Sequence, residues 1–246
     1  MHHAQPLSPQ PAAAATPAER LTVIRDGIAK AAADARRDPA AVTLIAVSKT
    51  RTAGEIAPLI AAGQRHFGEN RVQEAQAKWP ELRAAHGDLR LHLVGQLQSN
   101  KADDAVALFD TIHSVDRPRL VDALARAVQR HARTPQLFVQ VDLAGERYGG
   151  GGERGGCALA DLPALLTQAR DAGLAVEGLM TVPPLDRSPG PWFALLAEIA
   201  ARHAIAGLSM GMTADYATAV RLGATHVRVG TALFGERAAM DRPTGP

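Results

Sequence analysis

The sequence predicts a (β/α)8 barrel forming one domain over residues 18–240, with an extra helix ahead of the first strand. Three observations predict it. Eight short apolar runs alternate with helical patterns, and regular βα alternation makes a parallel sheet with right-handed crossovers. The run at 42–47 is continuously apolar, as suits a strand covered on both faces. No composition shift divides the 246 residues. A doubly wound open sheet is the competing architecture; eight βα units at this length favour the closed form.

Residues 1–17, rich in Pro and Ala, read as a disordered tail, and 241–246 as a C-terminal tail. From Ala18, the residues Leu21, Ile24, Ile28, Ala31 and Ala35 fall at helical spacing on one face, and Asp38-Pro39 ends that helix. The strand at 42–47 follows. A helix near 53–62 leads to a strand at 65–67, and one near 71–79 to a strand at 89–94. A helix near 101–108 precedes a strand at 111–113. Leu120, Leu124 and Val128 share a face of a helix at 117–132, which leads to 137–141. A glycine-rich stretch at 149–156 reads as a flexible surface loop, since its spacing is too loose for a phosphate cradle. Helices at 158–172, 194–203 and 216–222 then lead to strands at 176–179, 207–209 and 226–229.

Composition excludes several classes. There are 27 basic and 25 acidic residues, with no dense basic run, so nucleic acid is not the expected partner. One cysteine, Cys157, allows no internal disulfide and no cysteine-rich metal site, in keeping with a reducing cytoplasm. No apolar stretch is long enough for a membrane span, and the N-terminus lacks the features of a secretory signal. His2 and His3 read as solvated tail residues, so no metal is expected. Only Lys30, Lys49, Lys78 and Lys101 among the basic residues are lysines, which singles each of them out.

In a barrel, chemistry sits at the C-terminal ends of the strands. Lys49 follows a six-residue apolar run with only Ser48 between. Desolvation at such a mouth would lower the amine's pKa and free it as a nucleophile toward carbonyls; the alternative is a lysine reaching past the rim into water. After the seventh strand, Ser209-Met-Gly-Met-Thr213 runs into a helix. Thr213 reads as its N-cap, and Gly211 would let the backbone approach a ligand. Amide groups there, with those of Gly230 and Thr231, would form an anion site. Arg228 would add a cation, or else form an ion pair on the rim. A phosphate-bearing aldehyde satisfies both halves; pyridoxal 5′-phosphate (PLP) and a sugar phosphate both have that shape.

Ala46-Val-Ser-Lys49-Thr50, Phe67-Gly-Glu-Asn70, His92-Leu-Val-Gly-Gln-Leu-Gln-Ser-Asn-Lys101, His113-Ser-Val-Asp116, Gly178-Leu-Met-Thr181, Leu208-Ser-Met-Gly-Met-Thr-Ala-Asp215, Val227-Arg-Val-Gly-Thr231 and Phe234-Gly-Glu-Arg237 occur in that order. Together they resemble the pyridoxal phosphate homeostasis protein family. The resemblance implies a fold-type III barrel like the N-terminal domain of alanine racemase, with PLP held as a Schiff base on Lys49. It implies that Asn70 lies beside the cofactor and that Ser209, Met210 and Gly211 line its pocket. Thr213, Gly230 and Thr231 would hold the phosphate, and Arg228 would face the pyridine nitrogen. A cation there keeps that nitrogen unprotonated and makes the ring a poorer electron sink.

The family is thought to bind and transfer PLP without established catalysis, so no catalytic residues are expected. Only eleven residues follow Gly235 in this sequence, so the second domain that gives alanine racemase its tyrosine is not expected. Neither Tyr148 nor Tyr216 has the strand-end position of a base. One departure stands out: where the family has Glu-x-x-Lys-x-Gly after the fifth strand, this chain has Val141-Asp142-Leu-Ala-Gly-Glu146-Arg-Tyr and then glycines, with Arg154 as a stand-in for the missing lysine. The leading expectation is a cytoplasmic, monomeric PLP carrier serving PLP-dependent apo-enzymes. The alternatives are a small PLP-dependent racemase or lyase, and a PLP-free Schiff-base aldolase on a sugar phosphate.

Overall fold

The computed structural model describes residues 8–12, 15–145, 154–184 and 186–235. Tyr148 and the C-terminal tail lie outside these residues, as does most of the glycine-rich stretch.

Helix α1 (Pro17–Asp34) starts where its sequence dictates. Thr16 Oγ1 accepts the Glu19 N–H at 3.3 Å and the Glu19 carboxylate accepts the Thr16 N–H at 2.7 Å, with Pro17 opening the helix. Its stripe of Leu21, Ile24, Ile28 and Ala31 is buried. Strand β1 (Thr43–Val47) follows, then α2 (Ala53–Ala61), whose Thr52 and Glu55 repeat the same reciprocal cap. Next come β2 (His66–Glu69), α3 (Val72–Ala85), β3 (Arg90–Leu93), α4 (Ala102–Leu108) and β4 (Thr111–Val115). Helix α5 (Pro118–His131) leads to β5 (Gln136–Asp142), the two-residue β6 (Cys157–Ala158) and α6 (Leu162–Asp171). The chain continues through β7 (Val176–Met180), α7 (Gly190–Arg202), β8 (Gly207–Ser209), α8 (Tyr216–Arg221), β9 (His226–Val229) and α9 (Thr231–Phe234).

All pairings are parallel, and the sheet closes. Strand β1 pairs with β2 (Ala46 opposite Phe67) and with β9 (Ile45 opposite Arg228). On the far side, β4 pairs with β5 (Ile112 opposite Leu137). The ring therefore runs β1-β2-β3-β4-β5-β7-β8-β9 and back to β1, which excludes the open sheet. Strand β6 hangs on β5 outside the ring, Cys157 opposite Val141.

Four element readings change, one of them the helix expected from 194, which begins at Gly190. The helix expected from 158 begins at Leu162, because Cys157 is drawn into β6 and buried. Helix α3 continues past Pro80 to Ala85, with Trp79 fully buried beneath it. The short α9 went unread, since four residues carry too little periodicity. Its brevity also explains the extra N-terminal helix: α1 packs on α8, α9 and α2, covering the flank that so short a final helix leaves open.

The tail reading is corrected for residues 8–12. Ser8 is 2% exposed, and its Oγ accepts the Ala217 N–H at 3.1 Å. The Gln10 amide donates to the Thr213 carbonyl at 2.8 Å, and the Tyr216 hydroxyl donates to Pro9 O at 3.1 Å. The Ser8 N–H also donates to Ala214 O at 3.4 Å, and a Pro/Ala-rich sequence conceals this attachment because it rests on four polar contacts rather than an apolar stripe.

The barrel interior away from the strand C-termini holds histidines. His66 Nδ1 and His92 Nε2 lie 3.0 Å apart, as do His92 Nδ1 and His113 Nε2. His113 stacks on Phe138 at a 4.5 Å centroid distance, and His226 meets the same ring edge-on at 5.0 Å. Burial pushes His92 and His113 well below the usual imidazole range and His226 down to about 4. These side chains fill the core as neutral rings.

Candidate functional site

A cleft of about 550 Å³ opens at the C-terminal ends of the strands. Its walls come from segments after β1, β2, β3, β8 and β9, with Gln140 of β5, Met180 of β7 and Arg154 beyond the glycine-rich stretch. Parallel strands deliver their following loops to one end, which is why residues so distant in sequence meet there.

Six of the nine residues expected to contact a ligand line this cleft: Lys49, Asn70, Thr213, Arg228, Gly230 and Thr231. Lys49 sits in the turn after β1, exposed, where it lines the mouth of the cleft. Among the described residues its ammonium has no hydrogen-bond or ion-pair partner. The next residue, Thr50, has φ +63°, a left-handed conformation that costs a non-glycine residue roughly 1–2 kcal/mol. Asn70 is placed by Gly95. A Cβ on Gly95 would lie 2.3 Å from the Asn70 carbonyl oxygen, so only glycine lets the two loops touch.

Thr213, Gly230 and Thr231 form a polar cluster. The Thr213 hydroxyl lies 3.4 Å from both the Gly230 nitrogen and the Thr231 hydroxyl. The N-cap of α8 is Asp215, not Thr213. Asp215 Oδ1 accepts the Met212 N–H at 2.5 Å, and burial raises its pKa. The Thr213 hydroxyl is thereby left to the cleft.

Arg228 is 5% exposed and reaches the cleft from inside the barrel, so the rim ion-pair reading fails. Its guanidinium donates to Ser209 Oγ at 2.8 Å and to Thr181 O at 3.0 Å. Burial lowers its pKa to about 10, with Asp215 opposing the shift, and it stays charged at neutral pH. No carboxylate pairs with it among the described residues.

The other three expected residues lie behind the wall. Ser209 is fully buried and holds Arg228; Met210 is fully buried in the core. Gly211 has φ +92°, and a Cβ there would fall 2.5 Å from Ala219 Cβ, so the close approach it permits is to α8. Sequence reading missed Val47, Gln96, Gln140 and Met180 as lining residues. Gln96 Nε2 donates to Gln140 Oε1 at 2.7 Å, and Gln140 Nε2 to Arg154 O at 2.6 Å. An inward-facing glutamine on a strand, such as Gln140, carries no sequence signal that separates it from a solvent-facing one, and Gln96 stands exposed in the loop after β3. Arg154 does reach the cleft, the one part of the glycine-rich region with a described place there.

No helix among the described residues is long and apolar enough to cross a membrane. The family model for the alanine racemase N-terminal domain matches residues 21–238. A Pseudomonas aeruginosa protein named pyridoxal phosphate homeostasis protein is 40% identical over 240 residues, covering 90% of this chain and 96% of that one. An Escherichia coli K12 protein of the same name is 37% identical over 234 residues, 89% of this chain and 96% of its own. The structure of PipY from Synechococcus elongatus PCC7942 with PLP bound superposes with a TM-score of 0.77 at 42% identity, covering 89% of this chain and all of PipY. Alanine racemase of Clostridium difficile, 14% identical with a TM-score of 0.60 over 88% of this chain and 58% of its own, shares the fold.

Proposed function

The chain belongs to the pyridoxal phosphate homeostasis family, whose barrel is that of the alanine racemase N-terminal domain, and from that membership we propose that it binds PLP through Lys49 and acts as a carrier or buffer of it rather than as an enzyme. The observation that carries this reading is an amine without a partner among the described residues, in the same cleft as a buried cation that no described carboxylate bonds and a cluster of hydroxyls.

The residues present fit the group. Thr213, Thr231 and the Gly230 backbone cluster where a phosphate could be held: the Gly230 N–H and the Thr231 hydroxyl both donate to Thr213 Oγ1 at 3.4 Å, long bonds that a phosphate oxygen could replace, and the Thr213 hydroxyl keeps its own proton to donate. Arg228 offers a cation for the ring nitrogen, and Asn70 a neutral polar contact. Lys49 brings an amine that condenses with an aldehyde carbon, losing water. When bound, PLP supplies an electrophilic aldehyde on an aromatic ring whose electron demand depends on the charge at its nitrogen. Ser209 and Thr181 hold Arg228 in place, so that the cation is presented without having to be ordered on binding.

Two features support carriage over turnover. A cation beside the ring nitrogen keeps it unprotonated and weakens carbanion stabilisation. Tyr216 is fully buried, with its hydroxyl on Pro9 O and its pKa pushed up to about 12 by burial, so it offers no base to the cleft. Delivery to PLP-dependent apo-enzymes, a cytoplasmic place and a monomeric state belong to the same reading.

The deciding experiment is an absorption spectrum of the purified protein before and after borohydride, with mapping of the labelled peptide and turnover assays on an amino-acid panel. We expect a yellow protein, bleached with the pyridoxyl mass on Lys49, and no turnover. A protein that PLP cannot turn yellow overturns the binding reading, and robust racemisation overturns the carrier reading.

A further inference from the structure

Lys78 is the second lysine at this end of the barrel, and its environment is the opposite of that of Lys49. Its side chain is 12% exposed. Its ammonium donates to Ser48 O at 2.9 Å and to Arg51 O at 2.9 Å, the carbonyls on either side of the Lys49-Thr50 turn. It pairs with Glu69 Oε1 at 2.8 Å. Three donors meet three acceptors, which saturates a lysine ammonium.

Glu69 completes the frame from the end of β2. It is fully buried, and its Oε1 also accepts from Ser48 Oγ at 2.6 Å and Trp79 Nε1 at 3.0 Å. Its Oε2 is buried with no partner among the described residues. A buried carboxylate with one bare oxygen is costly unless a cation sits beside it, and Lys78 is that cation. Ser48 is thus held through its N–H to Gly68 O at 2.9 Å, its hydroxyl to Glu69, and its carbonyl to Lys78.

We propose that Glu69 and Lys78 form a buried clamp on both sides of the Lys49 turn and act as positioning residues that set the reactivity of the Lys49 amine. The inference rests on the reading of Lys49 as the covalent anchor. Exposed and without a hydrogen-bond or ion-pair partner among the described residues, Lys49 has no polar contact there to orient it. The turn that carries it, with Thr50 held at positive φ, is ordered from below by these two residues. Neither is a catalytic residue, since neither lines the cleft.

The test compares the wild type with Lys78→Met, Lys78→Arg and Glu69→Gln on two readouts. One is the rate at which PLP is captured on Lys49, read as the borohydride-fixed peptide. The other needs no PLP: the rate of reductive methylation of Lys49 by formaldehyde with cyanoborohydride as the hydride donor, across pH, by peptide mass. Loss of positioning by about an ångström corresponds to roughly 10–100-fold in rate. Lys78→Met and Glu69→Gln should slow PLP capture by that factor and shift the methylation pH profile. Lys78→Arg, which can still donate to both carbonyls, should restore most of the rate. Wild-type capture at Lys49 together with unchanged rate and pH profile in folded Lys78→Met overturns the clamp. Should Lys78→Met fail to fold, Glu69→Gln, which keeps the size and acceptor oxygen, carries the same decision. Failure of the wild type itself to label at Lys49 instead overturns the anchor reading.

Discussion

Arg228 donates to the Ser209 hydroxyl at 2.8 Å, and this bond joins a residue that faces the cleft to one that does not. Ser209 therefore acts through the cation. Its hydroxyl and the Thr181 carbonyl are the acceptors that keep a buried guanidinium aimed at the cleft, with no carboxylate bonded to it among the described residues.

Replacement of Ser209 by Ala should weaken PLP binding several-fold and alter the absorption of the bound cofactor, at a stability cost of about 1 kcal/mol for the lost hydrogen bond. Arg228→Met should do more, because it strands two buried acceptors and removes the charge; we expect roughly 1–3 kcal/mol of destabilisation together with a changed spectrum. Titration by fluorescence and a denaturant melt check both. Unchanged affinity and spectrum in Arg228→Met would place the cation outside the cofactor's reach.

Lys49→Ala should leave the melt within about 0.5 kcal/mol of wild type, since the residue is exposed and unpartnered. Borohydride labelling should vanish. Non-covalent PLP should remain measurable by equilibrium dialysis through the Thr213, Gly230 and Thr231 donors. Labelling that persists on another lysine would refute the anchor assignment.

The histidine core predicts acid lability. His92, His113 and His226 have pKa values lowered by burial, and they face one another, with His66 and Arg228 adding positive charge. His66 is lowered as well, chiefly by burial and then by Arg90, with Asp110 opposing. Unfolded histidines titrate near 6.5, so below that pH the unfolded chain binds protons that the folded chain refuses. Stability should be full above pH ~6.5 and fall steadily toward pH 4. His226 alone, down at about 4, corresponds to roughly 3 kcal/mol over that window. Urea melts across this range check the slope, and His226→Gln should flatten it. A stability independent of pH from 7 to 5 would contradict the neutral-ring description.

Ser8 caps α8 from a distance in sequence. Ser8→Ala should cost about 1 kcal/mol, the usual value of a lost N-terminal cap. Removal of residues 1–12 should go further, because it also frees the Thr213 carbonyl from Gln10 and loosens the loop that offers the Thr213 hydroxyl. A several-fold rise in the PLP dissociation constant of the truncated chain is expected from dialysis. An unchanged constant would make this attachment purely a matter of stability.

Strand and helix order was legible in the sequence, because burial on both faces writes continuous apolar runs for strands and one-sided burial writes a 3.6-residue stripe for helices. That the segments carrying Lys49, Asn70, Thr213, Arg228, Gly230 and Thr231 meet in one cleft was legible too, since a barrel sends every strand end to one rim. Tertiary structure alone decided the rest. Closure depended on the β4–β5 pairing, to which no local pattern refers. The split between Ser209, which holds the cation, and Thr213, which faces the cleft, depended on which way a side chain turns at a strand end. The frame of Glu69 and Lys78, like the histidine core, joins residues brought together only when the sheet closes on itself. Polar contacts of that kind have no period, so they emerge from packing and not from the order of residues along the chain.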